Sequence, residues 1–158
     1  MQHNNHLYCT FRAADRWYGV PIEDVKEVTA ETTCTRIPHA PEEVAGYVNI
    51  RGHIFLALDL RRLLGIEANA ATENRLIIFK QAVGPAFGVL VDEIGDIVSV
   101  DASQVEPFHA AGHEAIAGEP IRRVDVIDKV CRLPAELLVV LEPRKFLRVI
   151  EHSLSAAG

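Results

Sequence analysis

The sequence predicts an all-β protein built as a pair of small barrels, with helices confined to connections and to the C-terminal end. Apolar runs are short and are punctuated throughout by glycine, proline and polar turns. Two phrases also recur in the same order. Tyr18-Gly19-Val20-Pro21-Ile22-Glu23-Asp24-Val25-Lys26-Glu27-Val28 is echoed by Phe87-Gly88-Val89-Leu90-Val91-Asp92-Glu93-Ile94-Gly95-Asp96-Ile97, and Ile54 to Leu64 is echoed by Leu137 to Leu147. Repetition of this kind implies two similar units. A helical stripe, Phe146, Leu147, Ile150 and Leu154, is reserved for the stretch after Pro143.

Each element has a local reason. Leu7 to Phe11 and Trp17 to Val20 are rich in β-formers and flank Ala14-Asp15-Arg16, which predicts a first hairpin. Ile22 to Val25 suits one helical turn with Glu23 and Asp24 solvated, and Lys26 to Ala30 extends again. Thr33 to Ile37 reads as a short strand, and Pro41 to Val44 as a single turn opened by proline. Gly46 to Arg51 and Ile54 to Asp59 are apolar runs joined through Gly52, whose freedom at positive φ suits a tight hairpin. Leu60 to Leu64 winds into a short helix that Gly65 terminates, and the polar stretch Glu67 to Glu73 is the expected boundary between units.

In the second half, Arg75 to Lys80 and Phe87 to Val91 form a hairpin, and Asp96 to Val100 continues the sheet. Gln104 to Glu119 absorbs the greater length of the second copy. Ile121 to Ile127 reads as a strand, Lys129 to Glu136 as a loop around Pro134, and Leu137 to Glu142 as a buried strand. The expected organisation is a flexible tail over 1–6, a first barrel over 7–72, and a second barrel with the C-terminal helix over 73–158.

A chain of 158 residues is long enough to bury roughly 70% of its unfolded surface. Sixteen basic against 22 acidic residues give a net charge of −6, which repels phosphate backbones and argues against a nucleic-acid partner. The sequence has no apolar run long enough to span a bilayer and its first six residues are polar, so a cytoplasmic protein without direct membrane insertion is expected.

Cys9, Cys34 and Cys131 fall in no metal or redox spacing and read as buried reduced thiols. His109 and His113 stand four apart, as helical metal ligands would, but Gly112 breaks the stretch and solvated histidines explain them better. No cofactor or metal is expected. The paired acids Glu23-Asp24 and Asp92-Glu93 occupy matched places in both repeats, which favours solvated turns over an acid–base pair. With neither a nucleophile elbow nor a phosphate-binding glycine loop, the chain is not expected to be an enzyme.

Gly46-Tyr47-Val48-Asn49-Ile50-Arg51-Gly52, followed by the apolar strand Ile54 to Leu58 and by Asp59-Leu60-Arg61, closely resembles the CheW-like domain. That signature is a Gly-x-x-Asn-x-Arg-Gly hairpin, an apolar strand and Asp-Leu-Arg. Trp17-Tyr18-Gly19-Val20, Val25-x-Glu27-Val28, Thr35-Arg36-Ile37-Pro38 and Gly88-Val89-Leu90-Val91-Asp92 extend the resemblance over about residues 7 to 150. It implies two five-stranded SH3-like barrels and a non-catalytic adaptor of bacterial chemosensory arrays. The implied partners are the regulatory domain of a CheA-type histidine kinase, the cytoplasmic hairpin tip of methyl-accepting chemoreceptors, and other CheW-like domains. The implied place is the cytoplasm, at membrane-associated receptor arrays.

No phosphotransfer, ATP-binding or response-regulator segment accompanies the domain, so a stand-alone adaptor is expected over the CheW-like domain of a larger scaffold. The alternative from another class is a small-molecule- or metal-binding β-barrel, or an enzyme, using His109 and His113. Asp128 to Glu136 departs from the family pattern, intervening before the last apolar strand where a shorter turn is expected.

The resemblance places receptor contacts at Val25, Glu27, Gly46, Asn49, Arg51 and Gly52, and kinase contacts at Val28, Cys34, Arg36 and Ile37. Bland readings stand beside these. Arg51 could pair internally with Glu27, and Val25 and Val28 could be core. Gly46, Asn49 and Gly52 could serve hairpin shape alone, and an edge at Cys34 to Ile37 could simply be guarded by charge.

Overall fold

The computed structural model describes residues 5–66, 74–108 and 124–157. Its strands are β1 (Asn5–Ala13), β2 (Arg16–Pro21), β3 (Val25–Thr29), β4 (Val44–Ile50), β5 (His53–Asp59), β6 (Arg75–Phe79), β7 (Phe87–Val91), β8 (Glu93–Asp101), β9 (Val105–Pro107), β10 (Ile127–Arg132) and β11 (Leu137–Leu141). The α-helices are α1 (Leu60–Leu64) and α2 (Phe146–Ala157). The mostly β architecture agrees with the fold class expected from the sequence.

The strands form two sheets. One has the order β3-β6-β7-β5-β4 and the other β8-β1-β2-β11-β10-β9. Apart from the added edge strand β9, the orders match strand for strand: β3 with β8, β6 with β1, β7 with β2, β5 with β11, β4 with β10. Each sheet also has a single parallel seam, β5 on β7 and β11 on β2, at the place the repeated phrases specify. The repeat is therefore visible in the topology.

Membership of the sheets crosses the boundary expected near residue 72. The hairpin β6–β7 completes the sheet of β3, β4 and β5, whereas β1–β2 completes the sheet of β8 to β11. Each unit thus takes its central hairpin from the other half of the chain. Asn5 and His6, expected in a tail, begin β1 and pair with Asp101 and Val100. The stretch Glu67 to Glu73 lies outside the described residues.

Several local expectations are corrected. Thr33 to Ile37 is not a strand; Thr35 alone makes an antiparallel bridge to Tyr47, through hydrogen bonds of 2.8 and 2.9 Å. Val124–Val126 is a 3-10 turn and the strand begins at Ile127. The expected loop Lys129 to Glu136 is strand over its first half, 129–132, where Val130 and Cys131 are both buried while Asp128 and Arg132 face solvent. The link to β11 is a tight turn over 133–136, in which the Leu133 N–H donates to the Glu136 carbonyl at 2.9 Å.

The core has three parts. The largest apolar cluster lies between the barrels, where Phe11, Tyr18 and Val20 meet Leu58, Leu60, Leu63, Ile77, Phe79, Phe87 and Val89, and α2 adds Phe146, Val149 and Ile150. Smaller clusters fill each barrel: Val48, Phe55, Ala57, Leu76 and Ile78 in the first, and Tyr8, Val100, Cys131, Leu138 and Val140 in the second. The central strands bury both faces, which explains their near-continuous apolar runs. On α2, Phe146 and Ile150 are buried and Leu147 is half-buried, as the stripe predicts; the side chain of Leu154 lies outside the described residues.

Candidate functional site

The residues proposed from the motif gather on the first barrel, around the β4–β5 hairpin and the edge strand β3. The hairpin turns through two residues, Arg51 at φ 51° and Gly52 at φ 86°, as a tight turn between twisted strands demands. The Asn49 side-chain oxygen accepts the Gly52 N–H at 2.9 Å and holds the turn closed. This orientation leaves the Arg51 guanidinium projecting from the rim, 73% exposed.

From there it reaches across to β3. One Arg51 terminal nitrogen donates to both oxygens of Glu27, at 2.6 and 2.8 Å. β3 and β4 are the two edges of this sheet, so the pair straps the barrel where its rim would otherwise open. The hydrogen bond from Arg51 lowers the Glu27 pKa from the ordinary carboxylate value, and the same bond raises that of Arg51. An exposed pair of this kind adds little to stability. Its effect is geometric: it fixes a charged pair on the rim. Arg51 therefore has the internal partner that the bland reading offered, while most of its surface stays open.

Gly46 acts differently. It is buried at φ +143°, and a Cβ there would stand 2.3 Å from the Thr35 carbonyl oxygen. The missing side chain is what lets the segment carrying Cys34, Arg36 and Ile37 lie against β4. In that segment Arg36 is exposed, while Cys34 and Ile37 are half-buried. On β3, Val25 is half-buried against the inter-barrel core, and Val28 is 39% exposed, so the core reading holds in part for Val25 and fails for Val28.

Two residues not singled out from the sequence complete this face. Tyr47 and Ile54 are exposed large apolar side chains on β4 and β5, diagonal neighbours on the same side of the hairpin. Their signal was the alternation along β4, in which Val48 and Ile50 point inward and Tyr47 and Asn49 outward. Beside them, Lys26 sits 5.7 Å from the Phe55 ring centroid over a shallow recess of about 240 Å³, which His53, Ile54 and Gln81 also line.

The remaining candidates resolve otherwise. Asp24, expected in solvent, is buried: Arg144 donates to its two oxygens at 3.2 and 3.3 Å. Asp92 likewise receives a two-pronged contact from Arg61, with Nε at 3.1 Å from Oδ1. Both acids are therefore structural partners of arginines from the other repeat phrase, which spacing alone could not reveal. Glu23 and Glu93 are exposed, as expected. Cys9 and Cys131 are buried, Cys34 is half-buried, and all three are free thiols. Burial pushes each thiol pKa upward, for Cys131 to about 11, which leaves it protonated and poorly nucleophilic. His109 and His113 lie outside the described residues.

The CheW-like domain model matches residues 7–151. The chain belongs to the CheW-like domain family. Among curated relatives of the CheW-like chain, the chemotaxis protein CheW of Rhizobium meliloti is 35% identical over 97 residues, 61% of this chain and 63% of that protein. The probable chemotaxis protein CheW of Rhizobium etli is 30% identical over 130 residues, covering 81% of this chain and 83% of that one. The scaffolding protein TtCheW of Thermoanaerobacter tengcongensis, a solved structure, superimposes with a TM-score of 0.74 at 23% identity over 89% of this chain and 91% of that chain. That similarity shows the CheW fold. No helix among the described residues is long and apolar enough to cross a membrane.

Proposed function

We propose that the chain is a chemotaxis coupling adaptor that acts by binding, joining a CheA-type histidine kinase to methyl-accepting chemoreceptors, with other CheW-like domains as further neighbours. Membership of the CheW-like family and the chemotaxis relatives support this reading. The observation that carries it locally is the rim of the first barrel, where the Arg51–Glu27 pair borders exposed Val28, Tyr47 and Ile54. Exposed apolar side chains beside an oriented charged pair form a surface suited to protein contact.

In this proposal Val25, Glu27, Asn49, Arg51 and Gly52 form the receptor-facing part, and Gly46 supports it from beneath. Val28, Cys34, Arg36 and Ile37 form the kinase-facing part. Individual contacts of micromolar strength, about −8 kcal/mol, suffice when many copies assemble, because linked sites gain avidity. The protein then works in the cytoplasm at membrane-associated arrays.

Reconstitution tests this directly. The purified chain is mixed with the regulatory domain of a candidate kinase and with soluble receptor hairpin fragments, and binding is read by co-sedimentation and calorimetry. Binding to both, with receptor-dependent change in kinase activity, is the expected result. Binding to neither the kinase domains nor the receptor fragments tested would refute the reading.

A further inference from the structure

We propose that two arginine–aspartate clamps, Arg61–Asp92 and Arg144–Asp24, are positioning devices that set the angle between the barrels. Along β1 to β11 the chain passes from one sheet to the other twice, between β2 and β3 and between β7 and β8. Asp24 lies in the first passage and Asp92 is the single residue of the second. Each passage is thus gripped at its carboxylate, and in each case the arginine comes from the capping turn that follows the parallel-seam strand, β11 or β5.

The capping turns are themselves fixed. The Asp59 side chain accepts the Arg61 N–H at 3.0 Å, and the Glu142 side chain accepts the Arg144 N–H at 3.1 Å, so the same acid-then-arginine arrangement recurs in both units. At the second passage, Asp92 Oδ2 also accepts the Ala14 N–H at 3.0 Å, which ties in the β1–β2 turn of the second barrel. At the first, the Asp24 carbonyl accepts the Lys80 N–H at 3.0 Å, which ties in the end of β6 in the first barrel. Each aspartate therefore joins an arginine turn of one repeat to backbone beyond it.

The hydrophobic driving force between the barrels is strong but non-directional, even where rings such as Phe79 and Phe146 meet. A guanidinium meeting a carboxylate through two hydrogen bonds is directional. Two such contacts, at the two passages between sheets among the described residues, add a directional resistance to rotation about the inter-barrel axis. Asp24 is followed immediately by β3, so the first clamp also connects the end of β11 to the strand that carries Glu27.

The device belongs to the free protein, so its test needs no partner and is independent of the proposed function. Amide residual dipolar couplings from β4 to β7 report one barrel, and those from β1, β2, β10 and β11 the other. In the wild type both sets fit one alignment tensor. In Asp24→Asn and in Asp92→Asn, which keep side-chain shape, each barrel is expected to fit its own tensor. The two tensors should then differ in orientation or, through motion, by about one-fifth or more in magnitude. Arg61→Lys, which keeps the charge and loses the fork, should move the same way by less. One shared tensor in both Asn variants overturns the proposal. So do couplings that no longer fit their own barrel, and so does loss of the folded spectrum in all three variants, since the pairs would then be parts of the fold rather than setters of its angle.

Discussion

The two barrels share a strand order and differ at their rims. In the first, Arg51 at the hairpin tip straps Glu27 on the far edge, with Asn49 closing the turn. Register equates the Leu133 and Glu136 pair with Ile50 and His53, which puts Pro134 where the first barrel has Arg51 and Asp96 where it has Glu27. The second barrel therefore cannot make that ion pair, and it carries the extra strand β9 on its β10 edge instead. There the corresponding region opens into a recess of about 380 Å³ lined by Trp17, Asp96, Leu133 and Glu136. Seam, capping acid and clamp are kept in both copies because they build the frame, whereas the rims are free to diverge and only one is shaped as the proposed contact surface.

The largest expected effect breaks the frame common to both. Phe146, fully buried, packs edge-on against Phe79 of the first barrel within the inter-barrel cluster. Phe146→Ala is expected to cost about 3–5 kcal/mol. Urea unfolding followed by Trp17 fluorescence and by amide exchange in β6 should shift together; displacement of one probe alone would mean that the barrels have separate stabilities.

Next comes a change confined to the first barrel. Gly46→Ala forces a Cβ against the Thr35 carbonyl at a φ that L-residues rarely adopt, and should cost more than about 1 kcal/mol. Amide exchange at Thr35 and Tyr47 should accelerate while β10 and β11 keep their protection.

Arg51→Ala removes the strap of the first barrel without touching the core. Thermal unfolding should remain cooperative, while receptor-dependent control of kinase activity weakens in the reconstituted system. If unfolding becomes markedly broader instead, the arginine serves the first barrel's integrity more than any contact.

A milder test uses pH. Since Arg51 depresses the Glu27 pKa in the folded protein, the stabilising contribution of the pair is complete above the ordinary value of 4.5 and is lost as pH falls through the lower folded value. A carboxyl NMR titration of Glu27 should give a midpoint below that of the same residue in Arg51→Ala. A separate pH test lies at the alkaline end. Burial pushes the Tyr18 pKa from 10.0 up to about 12, so folding favours the protonated phenol and stability declines as pH rises between those values. Absorbance at high pH should show a tyrosine that ionises only near unfolding.

Short-range chemistry along the chain specifies local elements. Alternation and turn chemistry located the hairpins β1–β2, β4–β5 and β6–β7, and Asp59 and Gly65 bounded α1, because each signal depends on residues a few positions apart. The motif residues were likewise legible, and the rim they occupy follows from one tight turn. Local signals mislead near Pro134: a loop is expected over Lys129 to Glu136, although Lys129 to Arg132 lie along a strand whose Val130 and Cys131 are buried. Long-range packing sets the rest: each barrel borrows its hairpin from the other half, and Asp24 is buried against Arg144, 120 residues away. Periodicity states which face of a strand is covered, and long-range packing alone chooses what covers it.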